Sequence, residues 1–161
     1  MMRIMFLVLA ATFGLVMSFG AGWILGQTGV GQSVSPESLS DLESDFVERM
    51  ENVALVGHFT IEGRDDLGIN PERYEIEKVT KVDDSRWRFD ARIVYAGIDV
   101  TLPVTVPIVW AEDTPMISIT DFSIPTLGSF TVRLIFFDDR YAGSWQHGEF
   151  GGLMYGSIDR E

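Results

Sequence analysis

From Ala54 to the carboxyl terminus the hydropathy of this chain alternates with a period of two. In RWRFDARIVY, Trp87, Phe89, Ala91, Ile93 and Tyr95 occupy alternate positions, with Arg88, Asp90 and Arg92 between them. A strand sends successive side chains to opposite faces, so this pattern puts the apolar set on one side of a sheet and leaves the charges in water. A helix would scatter the same residues around its circumference. Similar segments recur: ALVGHFTIEG, RYEIEKVTKV, VTLPVTVPIVW, MISITDFSI, FTVRLIFF, YAGSWQ and LMYGSI. Most are separated by short polar or glycine-bearing turns, among them Ala96-Gly97 and Asp138-Asp139-Arg140. About eight strands in close succession predict a mainly β fold, an antiparallel meander over residues 54–161.

One segment restricts how such a sheet can close. In VTLPVTVPIVW, Val100, Leu102, Val104, Val106, Ile108 and Trp110 form the inward row, and Pro103 and Pro107 share the opposite parity. Alternate N–H groups of a strand point to the same neighbour, so the two prolines remove donors from one side only. The expected sheet is a partly open barrel or a sandwich, with an edge or a gap beside this strand. Eight strands enclose either a filled core or room for one small ligand. The bulk of the inward rows favours a filled interior, and Trp87, Trp110 and Trp145 are the candidate lining should an apolar ligand be held there.

Ahead of the sheet, SPESLSDLESDFVERMENV reads as an amphipathic helix over 36–53. Leu39, Leu42, Phe46, Met50 and Val53 share a face, Ser35 is the expected cap, Pro36 suits the first turn, and Glu37 and Asp41 favour the positive end of the dipole. A stripe this short suits packing on the chain's own sheet, or plugging one end of it, better than a coiled coil. Residues 27–35 have the small, uncharged composition of a flexible linker.

The apolar run from Ile4 to Leu25 is about the length a helix needs to cross a bilayer, and it outlasts the apolar region of a secretory signal. Residues 1–26 are therefore expected to be a transmembrane anchor; the alternative is a signal cleaved near Ser18-Phe19-Gly20, which would release the domain as a secreted protein. Arg3 on one flank and acids on the other orient the amino end to the cytoplasm and the β-domain to the extracytoplasmic side. Ala10, Gly14, Ser18, Gly22 and Gly26 recur every fourth residue, a stripe along which a second copy of the helix could pack to form a homodimer.

Charge narrows the partners. Arg3 is the one charged residue before Glu37, so the remainder carries all 24 acids against 11 of the 12 bases. Such a surface repels phosphate, which argues against nucleic-acid binding and against adhesion of the folded part to anionic lipid. The chain has no cysteine, which removes disulfides, thiolate metal sites and a thiol nucleophile.

Chemistry-bearing residues are sparse. His147 and Glu149 could start a metal site but lack further ligands, the second histidine being His58. Asp65, Asp66, Asn70 and Glu72 in GRDDLGINPE do not follow the spacing of a calcium loop and read as a solvated turn. Ser144 lies near His147 in sequence without the sharp nucleophile turn of a hydrolase. Gly148, Gly151 and Gly152 in HGEFGG fit the positive dihedrals of a hairpin loop. No catalytic residue, cofactor or metal is therefore assigned.

The closing pattern Y-x-G-x-W followed by G-G-x-x-x-G-x-I, here Tyr141, Gly143, Trp145, Gly151, Gly152, Gly156 and Ile158, resembles that of uncharacterised bacterial envelope proteins with an amino-terminal anchor and a small β-domain. That resemblance implies a location and no activity. The barrel layout is also similar to lipocalin and fatty-acid-binding types, although the lipocalin G-x-W lies near the first strand rather than near the end. The resulting expectation is a non-enzymatic, membrane-held β-domain in the periplasm or outside the cell, with a structural or binding role toward an envelope protein. The alternative is a lipocalin-like carrier of a small apolar molecule.

Overall fold

The computed structural model describes residues 39–124 and 127–160. The apolar amino-terminal segment, its small-residue stripe and the linker lie outside the described residues. Within them, one helix precedes eight antiparallel strands, each paired with its sequence neighbour, and the last strand returns to pair with the first. The strands are β1 (Val53–Phe59), β2 (Asn70–Lys81), β3 (Arg86–Tyr95), β4 (Ile98–Ala111), β5 (Thr114–Ile124), β6 (Gly128–Phe137), β7 (Arg140–His147) and β8 (Phe150–Arg160). β8 closes on β1 through the register Val53↔Arg160 to Phe59↔Met154. The sheet is thus a closed barrel, neither a sandwich nor an open sheet.

The prolines of β4 nevertheless leave their mark. Ile108 N–H donates to the carbonyl of Ser85, the residue just before β3 (2.9 Å), so the even-numbered amides of β4 face β3 and the odd-numbered positions, Pro103 and Pro107 among them, face β5. β4 pairs with β3 along ten residues, Ile98 to Pro107. Its ladder to β5 covers only Ile108↔Ile117 through Ala111↔Thr114. The donors that Pro103 and Pro107 lack coincide with the stretch of β4 that makes no ladder with β5. The expected gap is real, but it is a partial seam in a closed barrel.

Turns alternate between two ends. Ala96, Glu112, Asp138 and Gly148 each open a two-residue turn with positive φ, the geometry that matches the twist of paired strands. The Ala96-Gly97 and Gly148-Glu149 turns and the long β1–β2 connection lie at one end, the mouth. The β2–β3, β4–β5 and β6–β7 turns lie at the other, where the helix sits. Gly151 and Gly152 belong to β8 rather than to a loop; of the three glycines expected at positive φ there, Gly148 alone has it.

The helix, α1 (Asp41–Met50), is shorter than the amphipathic stretch suggests. Ser40 caps it: Glu43 N–H donates to Ser40 Oγ (3.4 Å) and Ser40 N–H donates to Glu43 Oε2 (3.1 Å), a reciprocal box that satisfies two otherwise free donors. Ser35 and Pro36 lie outside the described residues. Phe46 and Met50 are completely buried. The Phe46 ring lies 5.4 Å from that of Trp87, 5.6 Å from Trp110, 6.3 Å from Phe89 and 6.4 Å from Phe136, three of them edge-on and Phe136 tilted. Lys81 Nζ reaches Glu43 Oε1 at 2.5 Å, pinning the helix to β2. α1 therefore stoppers the end of the barrel at which β3 begins and β4 ends.

Candidate functional site

The interior divides at mid-height. Below, Phe46, Trp87 and Trp110 fill the lumen. Above, inward side chains of all eight strands and the β1–β2 connection surround a cavity of about 650 Å³ that opens at the mouth. Its walls are aliphatic and aromatic: Leu55, Phe59, Ile93, Val106, Ile119 and Leu134 are representative. The volume lies within the range of small-molecule sites. The interior is thus half filled rather than filled, because the aromatic bulk read from the inward rows is concentrated around the helix.

This division separates the three tryptophans. Trp145 lines the cavity, with its ring 5.7 Å from and nearly perpendicular to that of Phe59. Trp87 and Trp110 do not line it; they clasp Phe46 in the stoppered end. Their position in the helix socket corrects the expectation of a three-tryptophan lining. Parity could not distinguish the two halves, since inward residues of one strand serve both.

Two of the cavity's polar groups, Asn70 and Glu72, come from the segment whose composition suggests a solvated turn. β2 begins at Asn70, so Asn70, Glu72, Tyr74 and Ile76 all point inward. Glu72 is one of two buried polar residues among those described, with 5% exposure. Tyr74 Oη donates to its Oε2 (3.0 Å) and Tyr141 Oη, from the far side of the barrel seam, donates to its Oε1 (2.8 Å). Burial pushes the Glu72 carboxyl above its ordinary range, against the pull of the two phenols. Burial beside that carboxylate also raises both phenols well above their usual range.

Tyr141 reaches Glu72 by crossing two strands, and glycines make the crossing possible. A Cβ on Gly57 would collide with the Tyr141 hydroxyl, and one on Gly156 would lie 2.7 Å from its ring. These two glycines face each other across the β1–β8 seam. Gly57 of β1 and Gly156 of the glycine-rich carboxyl-terminal hairpin thus supply space for a tyrosine to hold a buried acid in the cavity wall.

Two donors in the cavity wall have no partner among the described residues: Asn70 Nδ2 and Trp145 Nε1, both buried. Both stand beside Phe59, since Asn70 is its cross-strand neighbour and Trp145 packs on its ring. His147, also in the wall, places Nδ1 3.0 Å from the Ser129 carbonyl and stacks at 4.4 Å on Phe130. Ser144 is exposed on the outer face of β7, while His147, three residues on, lies on the inner face, so the two do not form a catalytic pair. Among the described residues no group of three or more histidine, aspartate or glutamate side chains converges as metal ligands.

The signal that could have revealed Glu72 was parity: reading inward positions back from Ile76 through Tyr74 places Glu72 and Asn70 in the same row. Pro71 and the neighbouring acids hid it. No protein-family model matches the chain, and no curated protein or solved structure does either.

Proposed function

We propose that this chain is a non-enzymatic binding protein that holds a small apolar molecule in the mouth half of its barrel. The observation that carries this reading is the cavity of about 650 Å³, walled by apolar side chains and continuous with the mouth. A chain that needed only a stable core could have packed this space as it packs the helix end, since a void this large forfeits contacts among its lining groups. The partial β4–β5 seam adds to the argument. The unladdered stretch of β4 includes Val104 and Val106, which line the cavity together with Ile119 of β5, so the wall is least tied where a guest would press on it.

The site of action belongs to the same proposal. The apolar run from Ile4 to Leu25 would hold the domain at a membrane, on the extracytoplasmic side, where its acidic exterior keeps it off anionic headgroups and its mouth receives molecules from the membrane or from other envelope proteins. The test is to purify the full chain from membranes and extract it with organic solvent. About one equivalent of a defined apolar compound per chain supports the reading; protein free of any such compound, and unable to take one up afterwards, overturns it.

A further inference from the structure

Given that reading of the cavity as a ligand site, we propose that the preferred guest is a neutral apolar alcohol, seated with its hydroxyl among Glu72, Asn70 and Trp145. Each of these groups states a requirement. Glu72 has four lone-pair sites, of which Tyr74 and Tyr141 occupy two, one on each oxygen; it can accept a further hydrogen bond. Asn70 Nδ2 and Trp145 Nε1 are donors left without acceptors in a buried wall, and each such orphan costs free energy until it is paired. The site therefore asks for one donor and two acceptors.

A hydroxyl group is one donor with two lone pairs. Asn70 and Glu72 stand two residues apart on the same face of β2, about 7 Å along the strand, so a guest oxygen seated between them comes within hydrogen-bond reach of both side chains once the buried Asn70 amide turns toward it. Trp145 approaches from the other flank of Phe59. The rest of the molecule then fills the aliphatic walls.

The competing chemistries each fail one requirement. A carboxylate has acceptors only and would place a second negative charge beside Glu72 in a low-dielectric interior. An ammonium has donors only and leaves Asn70 and Trp145 unpaired. A hydrocarbon satisfies none of the three. Arg64, the cation in the wall, does not reverse the charge argument, because its Nε and Nη2 are spent on the two oxygens of Asp66 at 3.0 and 3.2 Å.

The experiment presents the full chain, held in phosphatidylcholine nanodiscs at pH 8, with an equimolar mixture of dodecanol, dodecanoic acid and dodecane. Compounds retained beyond those in protein-free nanodiscs are quantified by gas chromatography and mass spectrometry. Dodecanol should be enriched at least fivefold over both competitors. Asn70→Leu should bring dodecanol down to the level of dodecane, and Glu72→Gln should raise the share of dodecanoic acid, with far-UV circular dichroism showing both variants folded. If dodecane or dodecanoic acid is retained as well as the alcohol, or if both folded variants keep the wild-type preference, the polarity assignment is wrong while apolar binding stands. If none of the three is retained, the alcohol and the binding reading fall together.

Discussion

Replacing Tyr141 by Phe keeps a buried ring over Gly57 and Gly156 and deletes one atom, the hydroxyl that donates to Glu72 at 2.8 Å. That atom is the only donor to Glu72 Oε1 among the described side chains, Tyr74 serving the other oxygen. A hydrogen bond to a buried charge contributes about 1.5–3 kcal/mol, and one between neutral partners about 0.5–1.5 kcal/mol. The cost of the substitution must therefore depend on pH. The folded carboxyl titrates above its unfolded value of 4.5. Its contribution to stability is thus fully present below that value and is lost as pH rises through the folded pKa. Tyr141 limits the loss by stabilising the ionised form, so Tyr141→Phe raises the folded pKa further and deepens the loss on the alkaline side. Urea unfolding at pH 8 should show a destabilisation of about 2 kcal/mol, a midpoint shift on the order of 1 M, and a smaller shift at pH 4. In a Glu72→Gln background the pH dependence of the Tyr141→Phe cost should vanish. A cost independent of both pH and residue 72 would show that Tyr141 contributes packing alone and would refute this account of the buried acid.

Phe46→Ala withdraws the ring at the centre of the helix socket; the expected loss is about 3–5 kcal/mol by urea unfolding, with a red shift of tryptophan fluorescence as Trp87 and Trp110 meet water. Amide hydrogen exchange should find Val109, within the β4–β5 ladder, protected, and Thr101, facing β5 beyond its end, exchanging far faster; equal protection would mean that the seam is sealed. In the apolar amino-terminal run, Gly14→Leu with Gly22→Leu should diminish any dimer crosslinked in membranes, and unchanged crosslinking would remove the small-residue stripe as a dimer contact.

What the sequence made legible followed from local rules that tertiary packing reinforced. Alternation over Trp87 to Tyr95 marked β3, because a strand with one wet face leaves that imprint wherever it sits. Pro103 and Pro107 revealed a weakened flank of β4, since a missing N–H is a local fact. Whether the sheet closed was not local: it depended on β8 meeting β1, more than ninety residues apart, through Gly57 and Gly156, whose lack of a side chain marks no partner. The expected lining failed at Trp87 and Trp110 for a related reason. Both point inward as read, but Phe46 takes the space between them, and the depth to which a helix enters a barrel is set by packing rather than periodicity. Glu72 was hidden because an acid next to a proline, a few residues after two aspartates, has the composition of a turn, and one of the two phenols that make its burial tolerable, Tyr141, lies sixty-nine residues away.

The most direct test of a hollow, ligand-holding mouth is a titration of the full chain with the neutral fluorophore N-phenyl-1-naphthylamine, comparing wild type with Ala91→Phe, which grows a ring into the cavity wall, and with Ser144→Ala on the outer face. Saturable binding of one fluorophore per chain is expected in wild type and Ser144→Ala, and loss of that binding in a folded Ala91→Phe protein. Binding that never saturates, or that survives unchanged in Ala91→Phe, would contradict it.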